Sequence, residues 1–420
     1  MTHAGLMLRL AWLALVLMLL PAPALAARAI EAPEDIVELI QPHLPEQASQ
    51  PRLQALIAEI LATAGYFSPQ IRFSGDAIQI TPGEQTHIAA VDIAVDGNIN
   101  AKTEQQLRQM WKLPVGQVFR QSDWNQAKQD LLAEMLANSH PDARIIDSRA
   151  EIDPIQRQAR LSVHYDAGPA YRFGHLNITG LHRYSADLIK RYNEDVLPGM
   201  PYQAERLIRL AGKLSATPYF ASARAVLDRT DTKLSDDGST VAAVELRVRE
   251  RPGHRAGFGA GVSTNTGFRV EANYHTPNLF NQAWEWDTGL RLEQKQQTLY
   301  SDIFLPPDPQ QRRHGLGFVT ERSDIENLKL SRYAIGLQTS QQRGRVEQRL
   351  SLNWQREQRQ AQGSERIVSR ALVPSAQWTW RQLDNPLEPR RGTVLQFSIG
   401  GTTKAFSSDQ NFLRLHGRAQ

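Results

Sequence analysis

Three proline–glycine junctions divide this sequence at a constant interval. They are Pro82-Gly83, Gly168-Pro169 and Pro252-Gly253, and their glycines are 85 residues apart. A fixed period of this kind indicates stacked copies of one small unit of secondary structure. After Pro252-Gly253 the sequence stops repeating and alternates between apolar and polar residues, which is typical of β-strands with two different faces. The sequence therefore predicts an array of small domains followed by a β-sheet domain.

The N-terminal residues have the pattern of a secretory signal peptide. Arg9 precedes an apolar run from Leu10 to Ala27, and Ala24-Leu25-Ala26 is an Ala-x-Ala cleavage site. We expect cleavage after Ala26. An uncleaved membrane anchor is the alternative, although the prolines inside the run would make a poor spanning helix. No other stretch has the length of a transmembrane helix, so membrane insertion of the mature chain would require strands.

The composition excludes several classes of protein. The chain has no cysteine, so neither disulfides nor a lipidated cysteine contribute. Lys and Arg number 48 against 44 Asp and Glu, a net charge of +4 with the two signs interspersed, and we expect no nucleic-acid partner. The 11 histidines show no metal-ligand spacing and no catalytic constellation is visible. We therefore expect neither an enzyme nor a bound metal or cofactor.

The repeating half predicts α+β units with the order strand, helix, helix, strand, strand. Apolar residues spaced by three, four and seven mark the second helix of each unit. Two helices on one face of a three-stranded sheet leave an edge strand, which can accept a strand from another chain or can simply be solvated. The apolar positions are Leu53, Leu56, Ile57, Ile60, Leu61 and Ala64 in the first unit, Trp124, Ala127, Leu131 and Met135 in the second, and Ala204, Leu207, Ile208, Ala211 and Leu214 in the third.

These patterns predict five segments. Only a few residues separate Ala26 from the first helical stretch, so we expect the first repeat to be degenerate. The predicted boundaries are a signal peptide at 1–26, repeats at 27–83, 84–168 and 169–252, and a β-domain at 253–420.

The β-domain alternates over long segments. Trp284, Trp286 and Leu290 interleave with charged residues, and about ten such strands of about ten residues follow one another. Ten residues suit a tilted strand that crosses a bilayer, and aromatics at strand ends with a polar opposite face are typical of outer-membrane barrels. A soluble β-sandwich also alternates, but its strands are usually shorter. The pattern favours an antiparallel transmembrane barrel.

The sequence resembles the TamA type within the BamA-like superfamily of outer-membrane assembly factors. The resemblance rests on Tyr171–His175, on Leu214–Phe220 and on Gly259–Thr264, and it extends over the mature chain. It implies periplasmic POTRA repeats before an outer-membrane barrel. The segment Leu383–Gly392 resembles a barrel hairpin of that superfamily, with Asp384, Pro386, Arg390, Arg391 and Gly392 as its motif and an arginine in the lumen.

One part of the family pattern is missing. The arginine–glycine lumen motif and a closing strand with a terminal aromatic are absent, and the sequence stops at Gln420 within a strand. We therefore expect a fragment of a longer barrel rather than a barrel truncated in nature.

The resemblance also implies a function and partners. It implies insertion or secretion of autotransporters and other outer-membrane proteins, by templating client strands on the first barrel strand, and a TamB-like inner-membrane-anchored protein docked on the repeats. That first strand contains Gly257, Phe258, Gly259 and Gly261. Its glycines would give an easily opened lateral seam, or would simply relieve crowding in the lumen. A two-partner secretion transporter and a soluble periplasmic binding protein are the alternative functions.

Overall fold

The computed structural model describes residues 29–45, 48–75, 77–99, 101–384 and 389–420. The predicted signal peptide lies outside these residues. The chain divides into two compact units, Met1–Ala170 and Tyr171–Gln420. No helix in the described part of the chain is long and apolar enough to span a membrane.

The first unit holds two repeats of one design. In each, the first strand pairs in parallel with the last strand, which lies in the centre of a three-stranded sheet. The first repeat consists of β1 (Ala29–Glu31), α1 (Glu34–Ile40), α2 (Gln50–Thr63), β2 (Gln70–Ser74) and β3 (Ala77–Thr81), and the second of β4 (His87–Asp96), α3 (Ala101–Gln109), α4 (Gln121–Ala137), β5 (Arg144–Asp153) and β6 (Gln158–Asp166).

The first repeat is complete, contrary to the expectation that it is degenerate. Its first strand is only three residues long, too short for a period-two pattern to be recognised in the sequence. The apolar face of α2 buries Ile57 and Leu61 against Ile78 and Ile80 of the sheet, as the helical spacing predicts.

The third repeat opens the second unit. It contains β7 (Tyr171–Thr179), α5 (Ala186–Tyr192), α6 (Ala204–Ser215), β8 (Phe220–Leu234) and β9 (Thr240–Glu250), with the sheet order β7-β9-β8. One residue on α6 differs from the prediction. Ile208 is 70% exposed, and Leu210 is buried instead because Leu207, Leu210 and Leu214 form a single stripe.

The β-domain is one antiparallel sheet of ten strands in sequential order. This confirms the predicted fold class. The first and last strands do not pair with each other among the described residues, so the sheet is open. The strands are β10 (Arg255–Ser263), β11 (Gly267–Leu279), β12 (Trp284–Glu293), β13 (Gln296–Phe304), β14 (Arg312–Ile325), β15 (Leu328–Arg343), β16 (Val346–Ala361), β17 (Ile367–Leu383), β18 (Gly392–Thr402) and β19 (Phe412–Ala419).

The register gives this sheet two chemically different faces. Directly paired residues lie on the same face. One row runs through Phe318, Ile335, Trp354 and Leu372 on successive strands, and we call this apolar side the outer face. The opposite, inner face carries polar residues such as Arg349. Strands β14 to β17 are 14 to 17 residues long, longer than the predicted ten, so they extend beyond the apolar belt.

Strand β17 is paired with β18 along only part of its length. The pairing covers Ser375 to Leu383 and stops next to Pro374, which has no N–H group to donate. Beyond that point the loop before β19 takes over. The Asp409 amide donates to the Arg370 carbonyl at 2.9 Å, and the Asp409 carboxylate accepts from the Arg370 amide at 2.5 Å. The upper half of β17 is thus bordered by a loop rather than by a strand.

The three junction glycines have two physical roles. Gly83 and Gly168 adopt left-handed backbone angles, with φ of +80° and +64°, which disfavour other residues. Gly253 instead lies against Arg183, whose guanidinium would be 2.3 Å from an added Cβ. The third junction therefore needs glycine for space rather than for backbone conformation.

Candidate functional site: the first barrel strand and its joint with the third repeat

The first barrel strand is an edge of the sheet. β10 pairs with β11 from Arg255↔His275 to Ser263↔Gly267, and its other edge has no partner among the described residues. Alternate backbone N–H and C=O groups of β10 point toward that edge, away from β11. The sequence places the predicted seam residues within this strand.

The predicted residues separate onto the two faces of β10. Phe258 is 86% exposed on the outer face, and Val262 follows it at 75%. Gly257, Gly259 and Gly261 lie on the inner face, where the strand presents no side chain. The edge strand is therefore apolar toward the outside and bare toward the lumen.

Side chains of β11 occupy the space over these glycines. A Cβ at Gly257 would lie 2.5 Å from Asn273 Oδ1, and one at Gly259 would lie 2.9 Å from the Glu271 side chain. At Gly261 the nearest atom, in the Arg269 guanidinium, is 3.5 Å away, an ordinary contact. Crowding by β11 side chains thus explains the glycines at 257 and 259. This explanation is compatible with the predicted lateral seam, because a strand without inner side chains has fewer packing contacts to lose when it separates from a neighbour.

Charges on the inner face are paired next to this strand. Glu271 forms an ion pair with Arg291 at 3.3 Å and lies 3.8 Å from Arg269 on its own strand. His275 Nδ1 lies 3.3 Å from Asp287 further along the same strand pair. The Glu271–Arg291 and His275–Asp287 pairs connect β11 to β12 and so support the strand that pairs with β10.

A buried tyrosine joins the third repeat to the sheet. The Tyr219 hydroxyl donates to the Ala283 carbonyl at 2.8 Å, and Ala283 belongs to the core of the third repeat although it lies in the β11–β12 turn. The Tyr192 ring packs edge-on against that of Tyr219, with centroids 6.3 Å apart. Burial raises the pKa of Tyr192 to about 12, and it raises the pKa of Tyr219 further, so both hydroxyls stay protonated.

A second contact reaches the next turn of the sheet. Arg191 Nη1 donates to the Pro307 carbonyl at 3.3 Å, and Gln311 Nε2 donates to the Arg191 carbonyl at 2.6 Å. Asp308 organises this turn. Burial alone would raise its pKa, but hydrogen bonds from Arg312 and its neighbours outweigh burial and lower the pKa of Asp308 to about 2. The β11–β12 and β13–β14 turns, which lie at the same end of the sheet, therefore fix the third repeat on the sheet.

The junction itself is built around Glu250. Its carboxylate is 5% exposed, and it accepts from the amides of His182 and Arg183 at 2.8 and 2.9 Å and from Arg183 Nε at 2.9 Å. Burial would raise the pKa of Glu250, but these hydrogen bonds together lower it. Arg183 also donates to the Arg251 carbonyl and covers Gly253. The segment that enters β10 is thus tied to the third repeat.

The predicted hairpin motif lies in the turn between β17 and β18. The Asp384 carboxylate accepts from the amides of Arg390 and Arg391, both at 3.1 Å. Gly392 has φ of +149° and close contact with the Gln382 carbonyl. Both arginines are exposed in this turn, while Pro386 lies outside the described residues. The motif is at the same end of the sheet as the third repeat, and its role stays a prediction.

The sequence patterns did not identify Tyr219, Ala283 or Glu250. Tyr219 was part of a recognised segment, but an aromatic at a helix end indicates only burial. Glu250 closes an alternating strand, and nothing in that pattern distinguishes it from an exposed carboxylate. Within the described ranges, no group of three histidine or acidic residues could hold a metal ion.

A family comparison identifies the sheet domain. Residues 252–420 match the family model described as the Omp85 superfamily domain. This region is similar to the Omp85 superfamily domain. This places the sheet in the outer membrane and the three preceding repeats in the periplasm. The ends of the strands remote from the third repeat therefore face the exterior of the cell.

A solved BamA structure has a similar fold, and CdiB is a weaker match. BamA from Haemophilus ducreyi lacking POTRA domains 1–3 is similar at a TM-score of 0.60 and 14% identity, over 78% of this chain and 65% of that chain. At this identity the likeness concerns the fold. The chain thus spans about two thirds of that BamA structure. CdiB from Acinetobacter baumannii matches over 92% of this chain and 72% of its own length, with 12% identity and a TM-score of 0.40.

Proposed function

We propose that this protein assists the assembly or secretion of outer-membrane proteins, autotransporters in particular, in the manner of TamA. The observation that carries the proposal is the make-up of β10, the first strand of the region that matches the Omp85 superfamily domain: its inner face carries glycines and its outer face exposes Phe258 and Val262. A client strand could add to the backbone of such a strand by β-augmentation. The mechanism is binding and templating rather than covalent catalysis.

The apolar outer face and the bare inner face of β10 suit pairing with a client β-strand. A client strand added to this edge would continue the apolar outer face beside Phe258 and Val262, so lipid-facing residues of client and host would align. On the inner face the glycines present no side chain that selects a particular client sequence. We infer that recognition depends on the backbone and on alternation, which allows many clients.

The periplasmic repeats supply further edges. Among the described residues, β2, β5 and β8 each lie at the edge of a three-stranded sheet and pair with one neighbouring strand. A TamB-like, inner-membrane-anchored protein could add a strand to one of them. The domain boundaries predicted from the sequence, at 83, 168 and 252, would separate these three binding units.

Site-specific crosslinking tests the proposal. The chain has no cysteine, so single-cysteine variants give unambiguous adducts. We expect Phe258→Cys in the full-length protein to crosslink to a stalled autotransporter barrel. Leu352→Cys is the matched control, because it is on the same outer face but in β16, a strand with two partners. Absence of the Phe258 adduct, or equal adducts at both positions, would refute templating at this edge.

The same experiment separates the alternative of two-partner secretion. The inner face borders a space of about 900 Å³ lined by polar residues such as Ser351 and Asn353. A substrate exported through the lumen would crosslink to Ser351→Cys and not to Phe258→Cys. Cysteines along β2, β5 and β8 would locate a TamB-like partner in the same way.

A further inference from the structure

The outer face of the sheet changes from apolar to basic toward its external end. The row Phe318, Ile335, Trp354 and Leu372 is followed, one pleat further out, by Thr320, Tyr333, Arg356 and Arg370. Arg322 and Lys329 lie further out again, and Arg366 precedes β17. We call Arg322, Lys329, Arg356, Arg366 and Arg370 the outer basic cluster.

Two arginines of this cluster face each other on neighbouring strands, and neither side chain forms an ion pair with a described residue. Arg356 and Arg370 are direct cross-strand partners, and like charges in that position destabilise a sheet. The Arg356 Nε atom is shielded from solvent and has no hydrogen-bond partner. None of the four arginine side chains forms an ion pair with a residue in the described ranges. The Asp409 carboxylate accepts from the backbone amide of Arg370, and Lys329 lies 3.9 Å from Asp324. The four guanidinium charges are therefore not neutralised by a carboxylate within 4 Å among the described residues.

Two arginines on the inner face of β16 have carboxylate partners. Arg349 pairs with Glu347 at 3.1 Å, and Arg359 pairs with Glu357. Arg356 lies between these two pairs in sequence but on the outer face of the same strand, where it has no such partner.

Two arginines of the cluster also donate hydrogen bonds to uncharged side chains. Arg322 Nη2 donates to the Tyr333 hydroxyl at 3.2 Å, and Arg366 donates to the Gln358 side chain. Arg322, Lys329, Gln358 and Arg366 border a hollow of about 420 Å³. These contacts orient two guanidinium groups and leave their remaining N–H donors available.

We propose that the outer basic cluster binds the phosphate groups of a phosphorylated lipid in the external leaflet. Guanidinium groups bind phosphate through paired hydrogen bonds. The apolar row that includes Trp354 and Leu372 lies directly below the cluster. Only a lipid carries phosphate immediately above acyl chains, which matches this vertical order. The inference requires the outer-membrane location but not the assembly function.

Lipid binding to the purified full-length protein tests the inference. Native mass spectrometry would be recorded in detergent with bis-phosphorylated lipid A as the probe. We expect the double variant Arg356→Gln/Arg370→Gln to bind it at least about tenfold more weakly. Arg332→Gln is the matched control, because Arg332 is also a half-buried arginine with an unpartnered Nε but lies on the inner face. We expect that variant to bind like the wild type.

Three outcomes would overturn the inference. They are equal binding of a dephosphorylated lipid A, an equal loss in the Arg332→Gln control, and displacement of the lipid by inorganic phosphate at the same concentration. If the double variant does not fold, Arg356→Lys/Arg370→Lys replaces it. That variant keeps both charges and loses bidentate geometry, so we expect an affinity between those of the wild type and the glutamine variant, and wild-type affinity would exclude guanidinium recognition.

Discussion

The joint between the third repeat and the sheet gives a quantitative prediction. Tyr219→Phe removes one hydroxyl and keeps the ring, which packs edge-on against Tyr184 and Phe220 at centroid distances of 5.2 and 6.2 Å. No cavity forms, so the change isolates the hydrogen bond to Ala283. That carbonyl is in a residue only 9% exposed and would be left without its partner.

The cost follows from that burial. An unsatisfied buried carbonyl costs about 1–3 kcal/mol. If the joint opens locally, this corresponds to about 5- to 150-fold faster hydrogen exchange in the β11–β12 turn and at the end of α6. We expect exchange in β15 and β16 to be unchanged, because these strands do not contact the joint.

Tyr184→Phe is the control. The Tyr184 hydroxyl is also buried in this core, where burial raises its pKa to about 12, but it has no hydrogen-bond partner. Its removal should leave exchange unchanged or make it slower. Hydrogen–deuterium exchange on the full-length protein would refute the reasoning if both variants accelerate equally, or if Tyr219→Phe changes the turn by less than about twofold.

Three further substitutions test other parts of the structure. Because hydrogen bonds lower the pKa of Glu250 in the folded state, its stabilisation exists above the ordinary carboxyl pKa and disappears as pH falls through the lowered value; in denaturant titrations Glu250→Gln should cost about 1.5–3 kcal/mol at pH 7, and this cost should fall as pH is lowered below the ordinary carboxyl pKa. Gly257→Ala should lower the thermal midpoint of the sheet in detergent through its clash with Asn273, whereas Gly261→Ala should not, and equal effects would contradict the crowding explanation. Gly180→Ala, which combines φ of +89° with a Cβ 1.9 Å from a strand carbonyl, should unfold the third repeat in circular dichroism, and a folded variant would show that the loop can move.

The regular patterns of the chain were sufficient to predict the architecture. Helical spacing in α2, α4 and α6 and the alternation around Trp284 and Leu290 determined the repeats and all ten barrel strands, because these periods follow directly from backbone geometry. The predictions failed where an element was too short to show a periodic pattern or where an apolar residue lay next to the buried stripe instead of in it. β1 has three residues, and Ile208 is one position away from the buried stripe.

Only the part of the candidate site formed by β10 was predictable from the sequence. Its position as the first strand of the sheet follows from the strand order, and its glycines are visible in the composition. The joint at Tyr219 and the carboxylate at Glu250 depend on tertiary contacts across 64 and 68 residues, and no local pattern encodes such contacts. The uncompensated pair Arg356 and Arg370 needs the register, which alternation does not specify between separate strands.

The partial pairing of β17 makes one loop responsible for satisfying its backbone. Backbone groups in hydrocarbon must be hydrogen-bonded, and outside Pro374 the described residues give β17 a loop instead of a strand on its β18 side. The hydrogen bonds between Asp409 and Arg370 lie one pleat outside Leu372, so the apolar row can face lipid tails although β18 has already ended. Displacement of this loop would therefore expose backbone groups of β17 to hydrocarbon.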